Sequence, residues 1–91
     1  MKPVKIYTTA FCGYCHLAKE LLHRKGADFE EIDVTGQDEE RERLVERSGG
    51  QKTVPQIWIG DRHVGGYSDL HALDQAGELD ALLGLPVAKP A

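Results

Sequence analysis

Two cysteines, Cys12 and Cys15, are the residues of this chain whose type and spacing point most directly to chemistry. They flank Gly13-Tyr14, with Phe11 before them and His16 after. Thiol–disulfide exchange needs one thiolate to attack a disulfide sulfur and a second thiol near enough to resolve the mixed disulfide that results. A Cys-x-x-Cys placed where a strand hands over to a helix meets both needs. The first cysteine then lies beside unpaired N–H groups and the positive end of the helix dipole, and both favour thiolate over thiol. The second sits in the first helical turn, within reach of the first. Cys12 is therefore expected to be the exposed, low-pKa nucleophile and Cys15 the more buried resolving thiol.

Two other chemistries use the same letters. Cys12-Gly13-Tyr14-Cys15-His16 also spells the c-type haem attachment pattern. That chemistry needs a second axial ligand, commonly Met or His, and usually an export signal. The only methionine is Met1, and the opening Met1-Lys2-Pro3-Val4-Lys5 has no apolar signal core. Structural zinc needs four ligands, whereas His23, His63 and His71 are scattered singly. His16 and His23 could share a helix face, but a solvent-facing role is the commoner outcome, and no metal is expected. The strand–turn–helix context is what exchange requires, and the flanking sequence supplies it.

The elements that must position the pair follow from periodicity. Val4 to Thr8 alternates Val4 and Ile6 against Lys5 and Tyr7, the pattern of a strand. Leu17, Ala18, Leu21 and Leu22 repeat at helical spacing, opposite Lys19, Glu20, His23 and Arg24, and Gly26 closes that helix. Asp28 to Val34 reads as a second strand, completing a βαβ unit whose strands should be parallel. Gln37 to Ser48 is a charge-rich helix with Leu44 and Val45 as anchors, and Glu39 and Arg43 support one another on its solvated face. Gln56 to Ile59, the turn Gly60-Asp61 and Arg62-His63-Val64 form a hairpin, with Pro55 where a proline is tolerated. Ser68 and Asp69 offer N-cap chemistry for a helix carrying Leu70, Leu73 and Ala76, and Leu79, Leu82 and Leu83 make a last short helix. The expected order is β-α-β-α-β-β-α with a terminal helix. Residues 1–85 should form one domain, and residues 86–91, with two prolines, a flexible tail.

Composition narrows the function classes. The net charge of −4 argues against general nucleic-acid binding, which wants a basic face. No apolar run approaches a membrane span. Two cysteines are too few for a secreted disulfide scaffold, so a reducing, cytoplasmic setting is expected.

The chain resembles the glutaredoxins, specifically small bacterial dithiol ones, over about Val4 to Leu83. The resemblance rests on Val4-Lys5-Ile6-Tyr7-Thr8 leading into Cys12-Gly13-Tyr14-Cys15, on Thr53-Val54-Pro55, on His63-Val64-Gly65-Gly66-Tyr67-Ser68-Asp69-Leu70, and on the Leu-rich close from Asp74 to Leu83. Thioredoxins share the cysteine pair but carry Trp-Cys-Gly-Pro-Cys and lack the Gly-Gly-x-x-Asp segment.

The resemblance implies an α/β thioredoxin fold with a four-stranded mixed sheet flanked by helices, and a groove for glutathione as co-substrate. It implies that Cys12 and Cys15 act on protein disulfides and glutathionylated proteins, in a monomer. Tyr14 would flank the groove, while Thr53 and Val54 would offer backbone to the cysteinyl part beside a cis Pro55. Gly66 would allow close approach, and Ser68 and Asp69 would hold the γ-glutamyl end. Two departures stand out. Thr9 occupies the place where many relatives have a lysine that supports the thiolate, and Lys52 is expected to take a share of that role. The Cys12 pKa is then expected to be somewhat higher than in those relatives, though still well below the ~8.5 of a free cysteine. Gly13 replaces the usual proline between the cysteines. Some glutaredoxins with a small residue there assemble a [2Fe-2S] cluster across a dimer with glutathione as co-ligand, an alternative function of a different class.

Overall fold

In the computed structural model, which describes residues 2–85, the first strand, β1 (Val4–Thr8), runs at the heart of a four-stranded sheet. It leads into helix α1 (Gly13–Arg24), and the chain returns as strand β2 (Glu30–Asp33), parallel to β1. Helix α2 (Asp38–Arg47) follows, then strands β3 (Gln56–Ile59) and β4 (Arg62–Gly65), then helices α3 (Tyr67–Gln75) and α4 (Leu79–Leu83). The strand order is β2-β1-β3-β4, with β3 antiparallel to both of its neighbours. This mixed sheet and its element order are those expected from the sequence. The tail expected over residues 86–91 lies outside the described residues.

Strand alternation sends β1 and β3 side chains to two different cores. Val4, Ile6, Ile57 and Ile59 face α1, α3 and α4, where Ala18, Leu21, Leu22, Leu70, Leu79 and Leu83 are buried with them. Tyr7 and Trp58 face the other way and are buried with Val34 and with Leu44 of α2. Tyr7, on the face that alternation sets opposite Val4 and Ile6, is thus core on a second face.

Helix α1 buries Cys15, Ala18, Leu21 and Leu22, a stripe at helical spacing. Leu17, expected in that stripe, is 41% exposed because it falls at its edge. The helix closes as expected at Gly26, whose φ of +69° suits glycine, with Gly26 N–H donating to His23 O and Ala27 N–H to Leu22 O at 3.0 Å each. Just before it, Lys25 reaches Asp74 Oδ1 at 2.6 Å and Asp80 Oδ1 at 3.1 Å, tying α1 to the segment of α3 and α4. Among the described residues no helix is long and apolar enough to cross a membrane.

One correction bears on the site. Helix α3 begins at Tyr67 with Gly66 as its N-cap, so Ser68 and Asp69 are not caps but lie inside the first turn. Asp69 instead reaches back, its Oδ2 accepting the Gly66 N–H at 3.0 Å. That is one half of a capping box, contributed by the N3 side chain.

Candidate active site

Cys12 is the N-cap of α1, with extended backbone (φ −140°, ψ 105°), and its sulfur accepts the Cys15 N–H at 3.1 Å. That N–H is one of the donors a helix start leaves unpaired, and the cap position brings it to the sulfur. The Cys12 thiol also points at the Val54 carbonyl, 3.6 Å away. Both cysteines are free thiols, Cys12 half-buried and Cys15 2% exposed.

Burial pushes the Cys15 thiol up to about 12, assisted by its hydrogen bond with Cys12 and opposed by the Thr9 backbone and the charge of Lys19. Cys15 is therefore a neutral thiol near pH 7. Lys19 is itself held by Glu31, at 3.0 Å, and the same carboxylate oxygen accepts the buried Thr8 hydroxyl at 2.8 Å. The Thr8 hydrogen bond first and Lys19 second keep Glu31 below the usual carboxylate range.

Beside the cysteines lies a groove of about 280 Å³. Thr53, Val54 and Pro55 line one wall, and the Val54–Pro55 bond is cis. Gly66, Ser68 and Asp69 at the start of α3 line the groove too, with Gly66 close to the Pro55 carbonyl, and so does Tyr14. The structure thus brings every groove residue expected from the sequence around one cavity. Cys12 is joined to it through Val54, whose carbonyl its thiol faces, and Tyr14, two residues on, lies in the lining.

Gly65 needs to be glycine more strictly than Gly66. Its φ is +113°, and a Cβ there would overlap the Asp69 carboxylate, whereas one on Gly66 would merely touch the Pro55 carbonyl at 3.5 Å. Lys52 is exposed and is not part of the lining; its carbonyl accepts from Arg41 at 3.0 Å. Its neighbour Gln51 lines the groove instead.

Gln51 and Tyr67 are the lining residues that sequence reasoning missed. Tyr67 stacks between Tyr14 and His71, at centroid distances of 6.2 and 5.6 Å, so the partly exposed Tyr14 ring is braced from behind. Its adjacency to the Gly65-Gly66 break was the available cue, since a large residue there falls on the wall. Around the cysteines the surface is apolar: Phe11 is 99% exposed and Tyr14 64%. Among the described residues no three His, Cys, Asp or Glu side chains converge as metal ligands would.

The arrangement can therefore present one sulfur to an incoming disulfide while keeping a second, neutral thiol beneath it. Comparison with known proteins agrees. The glutaredoxin family model matches residues 4–64. Over 83 residues, 91% of this chain, the sequence is 63% identical to a glutaredoxin of Pseudomonas aeruginosa, covering 98% of that protein. It is 51% identical over the same length to glutaredoxin 3 of Escherichia coli K12, covering 99% of it. Among solved structures, a buckwheat glutaredoxin–glutathione complex superposes with a TM-score of 0.84 at 30% identity, over 91% of this chain and 77% of that one. A Brucella melitensis glutaredoxin does so at 0.82 and 54% identity, over 91% and 89%. The fold is the thioredoxin fold, and the chain belongs to the glutaredoxin family of thiol–disulfide oxidoreductases.

Proposed function

We propose that this protein uses glutathione to reduce glutathione mixed disulfides and protein disulfides, with Cys12 as nucleophile and Cys15 as resolving thiol. The observation that carries the reading is the run from the Cys12 sulfur, past Val54 at 3.6 Å, along the groove wall to the first turn of α3. That is a path for an extended tripeptide whose central sulfur meets Cys12 and whose anionic γ-glutamyl end meets the helix start. Thr53 and Val54 offer backbone to the cysteinyl part as an added strand would. Gly66 lets the ligand backbone approach, and the unpaired N–H groups at Ser68 and Asp69 take the γ-glutamyl carboxylate. The Asp69 carboxylate meets the ammonium, Tyr14 flanks the tripeptide, and Pro55 completes the wall. The buckwheat relative, solved with glutathione, supports the choice of ligand.

The chemistry follows from the difference between the two sulfurs. The thiolate is the nucleophile, so a Cys15 held up at about 12 leaves the first attack to Cys12. With a glutathionylated protein, the Cys12 thiolate attacks the glutathione sulfur. A Cys12–glutathione bond forms, the protein–glutathione bond breaks, and the protein thiolate leaves with the electron pair and takes a proton. A second glutathione thiolate then attacks the bound glutathione sulfur, releasing glutathione disulfide and the Cys12 thiolate. With a protein disulfide, Cys12 first forms a mixed disulfide with the substrate. Cys15 gives up its proton and attacks the Cys12 sulfur, expelling the substrate as a thiolate, and two glutathiones reduce the Cys12–Cys15 bond. Glutaredoxin potentials of roughly −200 to −230 mV suit exchange with a glutathione pool.

The test is reduction of a glutathione mixed disulfide, coupled to glutathione reductase, by wild type, Cys12→Ser and Cys15→Ser. Cys12→Ser should be inactive and Cys15→Ser active on that substrate while losing protein-disulfide reduction. An active Cys12→Ser enzyme would sink the assignment. A nearly inactive wild type that carries visible-light absorbance when isolated anaerobically would favour the cluster-bridged dimer instead.

A further inference from the structure

Gln56, the first residue of the interior strand β3, is a fully buried amide. Such a group is costly to bury unless its polar atoms have partners. Its Nε2 donates to the Thr53 carbonyl at 2.9 Å and to Gln51 Oε1 at 3.0 Å, and its Oε1 lies 2.7 Å from His63 Nε2. The carbonyl of Thr53 can only accept, so the amino end of Gln56 must face it and the oxygen must face His63. His63 is thereby held as the tautomer protonated on Nε2. Its ring is braced against Trp58 at a centroid distance of 4.5 Å.

The strand geometry makes this reach possible. Gln56 and Trp58 share one face of β3. Trp58 pairs with His63, whereas Ile57 pairs with Gly65, so Val64 is an extra residue in β4. His63 therefore stays on the face of Gln56 just before the chain bends toward α3.

Two consequences reach the groove. Gln51 accepts with its oxygen, which leaves its amino group free to donate, and Gln51 lines the groove. The Thr53–Val54 peptide is planar and trans, so its C=O and N–H point in opposite directions. A Thr53 carbonyl held toward Gln56 sends the Val54 N–H the other way, where an added strand would pair with it.

We propose that Gln56, held by His63, is a positioning residue for glutathione recognition. Without touching the tripeptide it aims two donors at it, the Val54 N–H for the cysteinyl carbonyl and the Gln51 amide for the glycyl carboxylate. The inference rests on the glutathione reading of the groove.

The experiment compares kcat/KM for one peptide carrying its cysteine as a glutathione mixed disulfide and as a 2-mercaptoethanol mixed disulfide. Wild type, Gln56→Leu and His63→Phe are measured, with the folded fraction of each read from its urea unfolding curve. Gln56→Leu should lower the glutathione preference about tenfold through KM, with the alkylation rate of Cys12 within about twofold of wild type. His63→Phe keeps a ring on Trp58 but removes the donor, and it should lower the preference about threefold. It carries the test by itself if Gln56→Leu does not fold. Variants that lose thermal stability yet keep the wild-type preference would show a merely structural amide and overturn the proposal alone. A wild type with no preference would overturn the glutathione reading and this inference together.

Discussion

The two faces of the sheet are built from opposite materials. One is aliphatic: Val4, Ile6, Ile57 and Ile59 against Leu21, Leu22, Leu70, Leu79 and Leu83. The other joins Tyr7, Trp58 and Leu44 to the Gln56–His63 hydrogen bonds, with the Arg47 guanidinium over both rings at 5.4 and 5.0 Å. Apolar burial is nearly non-directional, so the first face stabilises the fold without fixing any one atom closely. Hydrogen bonds have short, angular optima, so the second can hold one peptide plane in the groove wall. Stability and positioning are thus divided between the two sides of one sheet.

The largest expected effect breaks the aliphatic side. Leu22 is fully buried on α1, two turns past Cys15. Leu22→Ala should cost about 2–5 kcal/mol of unfolding free energy, read from urea titration, because lost transfer energy and a cavity add. Among folded molecules the preference for glutathione over 2-mercaptoethanol disulfides should persist. Its collapse would mean that the aliphatic face also sets the groove and that the division is false.

The same contrast explains what the sequence made legible. The aliphatic face and the cysteine turn rest on local regularities: alternation in Val4 to Thr8, the stripe through Ala18, Leu21 and Leu22, and a helix start at the cysteines. Thr53, Pro55 and Asp69 stand out only through their resemblance to family motifs, and the structure gathers them at one groove. Gln56 could not be read this way. A polar residue opening the run Gln56-Ile57-Trp58-Ile59 looks like a solvated strand end, and only tertiary pairing shows it buried between Gln51, Thr53 and His63. The start of α3 escapes the sequence for a related reason. Ser68 and Asp69 have cap chemistry, but Asp69 satisfies the helix end from the third position, leaving Gly66 as the cap.

A smaller effect sharpens the aliphatic side at its rim. Lys25 is raised above the ordinary lysine range by its hydrogen bonds to Asp74 first and Asp80 second. A group raised in the folded state contributes stability that is complete below its unfolded pKa, ~10.4, and is lost as pH climbs through the folded value. Lys25→Met should therefore cost about 1 kcal/mol at pH 7, a value already discounted for solvent screening, and this deficit should narrow above pH ~10.4. A deficit unchanged at that alkaline pH would assign the effect to packing of the lysine stem, leaving the aliphatic face with no electrostatic rim.

The smallest effect tests how far positioning extends across the polar face. Arg47 donates to the Tyr7 hydroxyl at 2.6 Å and lies over Tyr7 and Trp58, and Trp58 in turn stacks on His63. Arg47→Met removes an exposed cation over two rings and should cost about 0.5 kcal/mol. Trp58 is the only tryptophan, so its emission reports on this face directly and should shift. Glutathione preference should hold, because Arg47 touches the rings and makes no hydrogen bond to Gln56 or His63. A stacked ring can slide within a shallow energy well while a 2.7 Å hydrogen bond cannot, so disturbance at Arg47 should fade before it reaches Gln56. A fall in preference with Arg47→Met would mean that the whole aromatic face moves as one body and carries the groove wall with it.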